Sequence, residues 1–192
     1  MCTGNDHTTG AGRVFILKHK SLTSIEKPNF VTDCEMEWVK VKLKNHKDLH
    51  VGVFYMHERD QRDIDELQNS LNKLSEDRKK PHKVIFVGNF NCLDIDWSIH
   101  AALSTGKENL IQQLLIDISS SFLLTKVQQT PTHGSNILDL VFTSNPTLVK
   151  SSVSIQGVSD HDIIVSNLYT KPHTASLKAC TCYNLASLNG SR

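Results

Sequence analysis

Residues 84–97, VIFVGNFNCLDIDW, run from an apolar stretch through Gly88 into a polar turn carrying Asn89 and Asn91. Strand ends in open sheets line binding crevices, so such a turn is a candidate site. Neither amide ionises, so any catalytic charge has to come from elsewhere. Two more polar clusters border apolar runs: Asn136-Ile-Leu-Asp139, continuing into Leu140-Val-Phe-Thr143, and Val158-Ser-Asp-His-Asp162, leading into Ile163. Tyr55 ends a fourth apolar run that starts at Leu49.

Asp139 lies between Leu138 and Leu140. A carboxylate inside an apolar strand is costly unless it faces solvent on an edge or meets a partner. His161 would serve as that partner, with Asp139 orienting the ring and holding it protonated as the acid does in a catalytic triad. Taken singly, Ser-Asp-His is equally well explained as a turn in which Ser159 or Asp160 bonds its own backbone. Tyr55 alone reads more readily as a core or rim aromatic. His57, His100, His133 and His173 sit in polar segments and read as solvated side chains.

Several elements must position these groups. An apolar run over residues 13–18 predicts a short first strand. Residues 35–43 (EMEWVKVKL) alternate, with Met36, Trp38 or Val39, Val41 and Leu43 set against Glu37, Lys40 and Lys42. Together with residues 49–55 they predict a hairpin across the polar turn 44–48. Ile64, Leu67, Leu71 and Leu74 follow helical spacing within residues 63–80, and Pro81 would stop that helix. Residues 84–87 are uniformly apolar and suit a central strand covered on both faces. A second helix is predicted over residues 107–119, with Leu110, Leu114 and Ile118 on one side. Residues 138–142, 149–155 and 163–169 complete the strands. Strand pairs mixed with helices predict a layered α/β or α+β sandwich. The hydrophobic pattern fades from Thr170 onward, and that end reads as a weakly structured tail.

The whole chain narrows the function classes. Its 192 residues suit one domain with a sizeable core. Lys and Arg number 21 against 20 Asp and Glu, so global charge argues for no nucleic-acid partner. No apolar run is long enough to span a membrane, and residues 1–13 lack the apolar core of a signal peptide. Five scattered cysteines suit reduced intracellular thiols. Cys180-Thr-Cys182 has no second pair at zinc-finger spacing.

In combination the motifs say more than they do singly. Cys34-Glu-Met-Glu-Trp-Val-Lys-Val-Lys-Leu43, Val51-Gly-Val-Phe-Tyr55, Val87-Gly-Asn-Phe-Asn91, Gln129-Thr-Pro-Thr132, Asn136-Ile-Leu-Asp-Leu-Val-Phe-Thr143 and Ser159-Asp-His-Asp162 occur in that order. The series resembles the endonuclease/exonuclease/phosphatase superfamily. More narrowly, it is similar to the apurinic-type endonuclease domain of non-LTR (LINE-like) retrotransposons, over roughly residues 10–172.

The resemblance implies an α+β fold, a four-layer α/β/β/α sandwich, here lacking its first strands. It divides the chain into an unmatched segment 1–10, a partial domain 11–170 and a divergent tail 171–192. It implies phosphodiester hydrolysis in DNA with Mg²⁺ (or Mn²⁺), in an intracellular, nuclear setting; the sequence itself points to no membrane and gives no evidence for an obligate protein partner. Site roles carry over by position. His161 would contact the scissile phosphate, with Asp139 holding its imidazole. Asp160 would be a metal-side carboxylate. Asn91 would donate to phosphate oxygens and Tyr55 would lie against them.

Two departures bear on activity. Asn89 stands where the family has the Asp that aligns and deprotonates the attacking water. The family's metal-binding Glu precedes the matched region, and residues 1–10 contain no Glu. The expectation is therefore a nuclease-like domain with little or no hydrolysis. The alternatives are a non-catalytic nucleic-acid-binding module or a relic without function.

Overall fold

The computed structural model describes residues 2–4, 14–44, 48–57, 59–76, 83–103 and 105–174. In chain order the strands are β1 (Cys2–Gly4), β2 (Phe15–Leu17), β3 (Ser24–Glu26), β4 (Glu35–Lys42), β5 (Asp48–Tyr55) and β6 (Lys83–Asn89). They continue as β7 (Ile95–Asp96), β8 (Ala101–Ala102), β9 (Thr125–Lys126), β10 (Asp139–Thr143), β11 (Val149–Ile155) and β12 (Ile163–Leu168). Two helices, α1 (Gln61–Glu76) and α2 (Gly106–Ser121), accompany them.

A six-stranded sheet in the order β3-β4-β5-β6-β10-β9 forms the centre. Only β5 and β6 pair in parallel within it, and α1 lies between them in the chain. A parallel neighbour needs such a crossover, whereas an antiparallel pair such as β4–β5 needs only the few residues between Lys42 and Asp48.

The alternation in β4 shows why one strand serves two layers. Met36 and Trp38 are buried on one face, and Val39 is buried on the other. The first face meets the helices. There Met36, Trp38, Phe54, Phe86, Phe90 and Phe142 pack against Ile64, Leu67, Leu71 and Leu74 of α1 and Ile111, Leu115 and Ile118 of α2. Trp38 stacks on Phe86 at 5.4 Å, and its indole N–H donates to Ser70 Oγ at 2.9 Å. Gly88 is required in this layer, because a Cβ there would come within 2.0 Å of the Phe54 carbonyl oxygen.

The opposite face carries a smaller apolar cluster. Leu43, Leu49, Ile85 and Val141 meet Leu148, just ahead of β11, and Ile164 and Leu168 of β12. The expected α+β sandwich is therefore observed, as helices, central sheet and a second strand layer. Among the described residues no helix covers the outside of β11–β12, where Val153, Ile155, Ile163 and Val165 are exposed.

One expectation shifts. The buried stripe of α2 runs through Ile111, Leu115 and Ile118, while Leu110 is 49% exposed. Apolar residues at 110, 111, 114 and 115 offer two overlapping stripes, and packing on the sheet selects one. Residues 2–4, placed in an unmatched segment, pair antiparallel with β2. Residues 172 and 174, placed in the tail, form bridges with Leu43 and Leu22. The rest of that tail, with Cys180 and Cys182, and the helix stop at Pro81 lie outside the described residues. Cys34 and Cys92 are free and buried, and burial pushes both thiols up to about 12.

Candidate active site

Sheet register assembles the site. Asp139 on β10 pairs with Asn89 on β6, Asn89 with Tyr55 on β5, and Tyr55 with Glu35 on β4. Four neighbouring strands thus hold one row, Glu35–Tyr55–Asn89–Asp139, and residues directly opposite one another share a face. It is the face turned toward β11–β12, away from the helices. An open cleft of about 410 Å³ follows the row, lined by Val14, Tyr55, Asn89, Asp139, Asp162 and Ile164 among others.

His161 reaches the row from the loop ahead of β12. Its Nδ1 lies 2.8 Å from Asp139 Oδ2, and both side chains are largely covered. The contact occupies Nδ1, which leaves Nε2 as the ring nitrogen facing away from Asp139. The partner expected for a carboxylate in an apolar strand is therefore present. The local turn is present as well: the His161 backbone N–H donates to Ser159 Oγ at 3.3 Å. Gly157 lets this loop fold closely, since a Cβ there would stand 2.0 Å from the His161 carbonyl oxygen.

Asn89 and Asn91 form a linked turn. The Asn91 backbone N–H donates to Asn89 Oδ1 at 2.9 Å, and Asn91 Nδ2 donates to the Met56 carbonyl at 2.7 Å. Asn91 holds a positive φ of 50°, a conformation Asn adopts more readily than most residues. The Asn91 amide thus ties the end of β6 to the end of β5, just outside the lining of the cleft. Tyr55 is half-buried, with its hydroxyl 3.5 Å from His57 Nδ1.

Thr132 holds the loops together. Its buried Oγ1 accepts the backbone N–H groups of Leu138 and Asp139, each at 3.1 Å. Its carbonyl accepts the Asp162 N–H at 2.8 Å, which joins the β9–β10 connection to the loop bearing His161. Gln129-Thr-Pro-Thr132 was legible as a motif, but this positioning role was not.

The reading of His133 as a solvated side chain does not hold. Mutual hydrogen bonds with Asn136 fold residues 132–136 into a tight turn, with Gly134 at φ 59°. His133 Nε2 comes 3.4 Å from Asp160 Oδ2, and its ring centroid lies 4.9 Å from that of His161. Glu35 also went unrecognised as a neighbour of Tyr55. The signal for it was the pairing of β4 with β5, whose register puts the ends of both strands together.

A helix-backed mixed sheet with a polar row along one edge is the fold of endonuclease/exonuclease/phosphatase proteins. The chain resembles such a family protein from Leptotrichia buccalis at TM-score 0.54 and 15% identity, covering 88% of this chain and 71% of that one. A Bacteroides vulgatus endonuclease/exonuclease/phosphatase matches at TM-score 0.53 and 17% identity, covering 89% and 76%. The Xenopus laevis APE2 catalytic domain matches at 0.51 and 16%, covering 74% of this chain and 57% of that domain. Residues 49–165, more than half of the chain, match the family model described as endonuclease-reverse transcriptase, and the chain belongs to that family. No curated protein matches it. The matched span includes Tyr55, Asn89, Asn91, Asp139, Asp160 and His161.

Proposed function

We propose that this chain is a retrotransposon-derived endonuclease-like domain that holds a DNA phosphodiester in its cleft and hydrolyses it weakly or not at all. The observation that carries this reading is the Asp139–His161 pair at 2.8 Å beside a row that holds Asn89 in place of a carboxylate. His161 would donate to a phosphate oxygen, with Asp139 keeping the ring oriented. The Tyr55 hydroxyl, and by resemblance the Asn91 amide, would supply further donors. Asn89 can position a water but cannot accept its proton, and a general base contributes about 10²–10⁴-fold.

Magnesium, implied by the resemblance, fits the present donors poorly. Mg²⁺ favours an octahedron of oxygens, several from water and one or two from carboxylates. Here Asp139 Oδ2 is engaged by His161, Asn89 Oδ1 by the Asn91 N–H, and Asp160 faces His133. Among the described residues, the side chains whose ligand atoms cluster are His133, His161 and Asp160.

A non-catalytic nucleic-acid-binding role is the second reading, and one feature favours it. Lys44, Lys83, Lys150 and Lys171 line an open cleft of about 710 Å³ at the other end of the central sheet. Four lysines around one cleft suit a phosphate backbone. No helix among the described residues is long and apolar enough to cross a membrane.

Nicking of supercoiled plasmid in Mg²⁺ or Mn²⁺, alongside DNA binding measured across salt concentrations, tests the impaired reading. The expected result is binding that weakens with salt, with little or no nicking. Vigorous nicking that disappears in His161→Ala would overturn the impaired reading.

A further inference from the structure

The three side chains His133, Asp160 and His161 each present one ligand atom, and those atoms lie within 4.8 Å of one another. We propose that they form a binding site for a nitrogen-preferring divalent transition metal, of which zinc is the type, and that it excludes magnesium. The proposal does not depend on phosphodiester binding or hydrolysis.

Donor chemistry is the first argument. Imidazole suits Zn²⁺, Co²⁺, Ni²⁺ and Cu²⁺, whereas Mg²⁺ prefers an all-oxygen shell. Two histidines and one carboxylate are a ligand set that zinc takes with an open fourth position. The second argument is independent of the ligands themselves. Asp139 Oδ2 sits 2.8 Å from His161 Nδ1, so the ring presents Nε2 as its coordinating nitrogen. A carboxylate behind a metal-binding histidine fixes its tautomer and raises its basicity.

Preorganisation is the third argument. His133 sits in a turn closed by its own hydrogen bonds with Asn136. The Thr132 carbonyl accepts the Asp162 N–H at 2.8 Å, so the two loops that bear the ligands are tied together. Around a tetrahedral zinc with bonds of about 2.0–2.1 Å, donor atoms stand about 3.3 Å apart. His133 Nε2 and Asp160 Oδ2 already stand at 3.4 Å. Asp160 is the most exposed of the three, with 77% of its side chain accessible, so its carboxylate has room to adjust to a metal.

Metal binding would engage the His161 ring, so zinc and a phosphodiester would compete for it. This gives the site a consequence for the cleft without requiring that the cleft be catalytic.

The test is titration of the full chain with Co²⁺ and Zn²⁺. Cys180→Ser and Cys182→Ser are introduced first, so that this closely spaced thiolate pair cannot supply the signal. Saturable one-to-one binding is expected, with d–d bands of a nitrogen- and oxygen-bound Co²⁺ that Zn²⁺ displaces and excess Mg²⁺ does not. His133→Ala should weaken binding at least about tenfold, and Asp139→Asn should weaken it about 10–100-fold through the His161 ring. A thermal melt of each variant separates lost folding from a lost ligand. His133→Gln, which retains a polar side chain on the turn, should weaken binding as His133→Ala does. Absence of saturable Co²⁺ binding, displacement by Mg²⁺, or unchanged affinity in a folded His133→Ala variant would each overturn the site.

Discussion

Asn89 Oδ1 accepts the Asn91 backbone N–H at 2.9 Å, a bond that an aspartate in the same place would also make. Asn89→Asp is therefore compatible with the turn, and it adds the charge that the row lacks there. It does not bring oxygen ligands together around Asp160, whose near neighbour is His133. Nicking of supercoiled plasmid by Asn89→Asp should rise by less than the ~10²–10⁴-fold that a general base contributes. A gain of that full size would show that the charge at position 89 was the sole deficit. The neighbouring Asp139 illustrates what residue chemistry alone can foretell. Its place between two leucines demanded a partner, and the partner is the histidine of Ser-Asp-His.

At the scale of elements, one hydroxyl and one ion pair carry more than their size suggests. Thr132→Val removes the acceptor for the N–H groups of Leu138 and Asp139 while keeping nearly the same shape. Leaving buried backbone donors unmet costs about 1–3 kcal/mol, to be read from urea denaturation. At the mouth of the β4–β5 hairpin, Asp48 lies 3.0 Å from Lys42 Nζ and 3.4 Å from Lys40 Nζ. Burial works to raise its pKa, but the Lys42 hydrogen bond and charge, followed by Lys40, outweigh it and hold the carboxyl below its ordinary value. The unfolded chain then binds more protons between the lowered value and the unfolded value of about 3.9. The stability Asp48 contributes is present above that range and is lost as pH falls through it. The difference in stability between the wild type and Asp48→Asn should therefore shrink on acidification, as followed by thermal melts across acidic pH. The helices teach a different lesson: the α1 stripe was unambiguous, whereas α2 offered two and the sheet chose between them.

Across the whole molecule, the two clefts lie at opposite ends of one sheet. Tyr55 and Asn89 end β5 and β6, while Lys83 begins β6 and Lys44 follows β4. A strand of seven residues at about 3.3 Å each separates them by roughly 20 Å, a span that a nucleic-acid backbone covers easily. On duplex DNA each neutralised phosphate adds about 0.9 to the dependence of log affinity on log salt. Replacing Lys44, Lys83, Lys150 and Lys171 with Ala should lower that slope by about 0.9 for each lysine in contact, without changing the ligands of the metal site. An unchanged slope would remove this cleft from the binding surface.

Apart from β1, β3, β7, β8 and β9, the strands and helices were legible in the order of residues, as were the α+β class, the Asp139–His161 partnership and the family. Each depends on periodicity, on local motifs or on the burial cost of a carboxylate, which act along short stretches of chain. The row Glu35–Tyr55–Asn89–Asp139 was not legible as a row, because its members meet only through the registers of three strand pairs. His133 looked like any polar-loop histidine, since nothing near it in the chain announces Asp160 or His161. Its turn reaches them because Thr132 accepts the Asp162 N–H across a loop closure about 30 residues long, and only packing of the two strand layers brings those ends together.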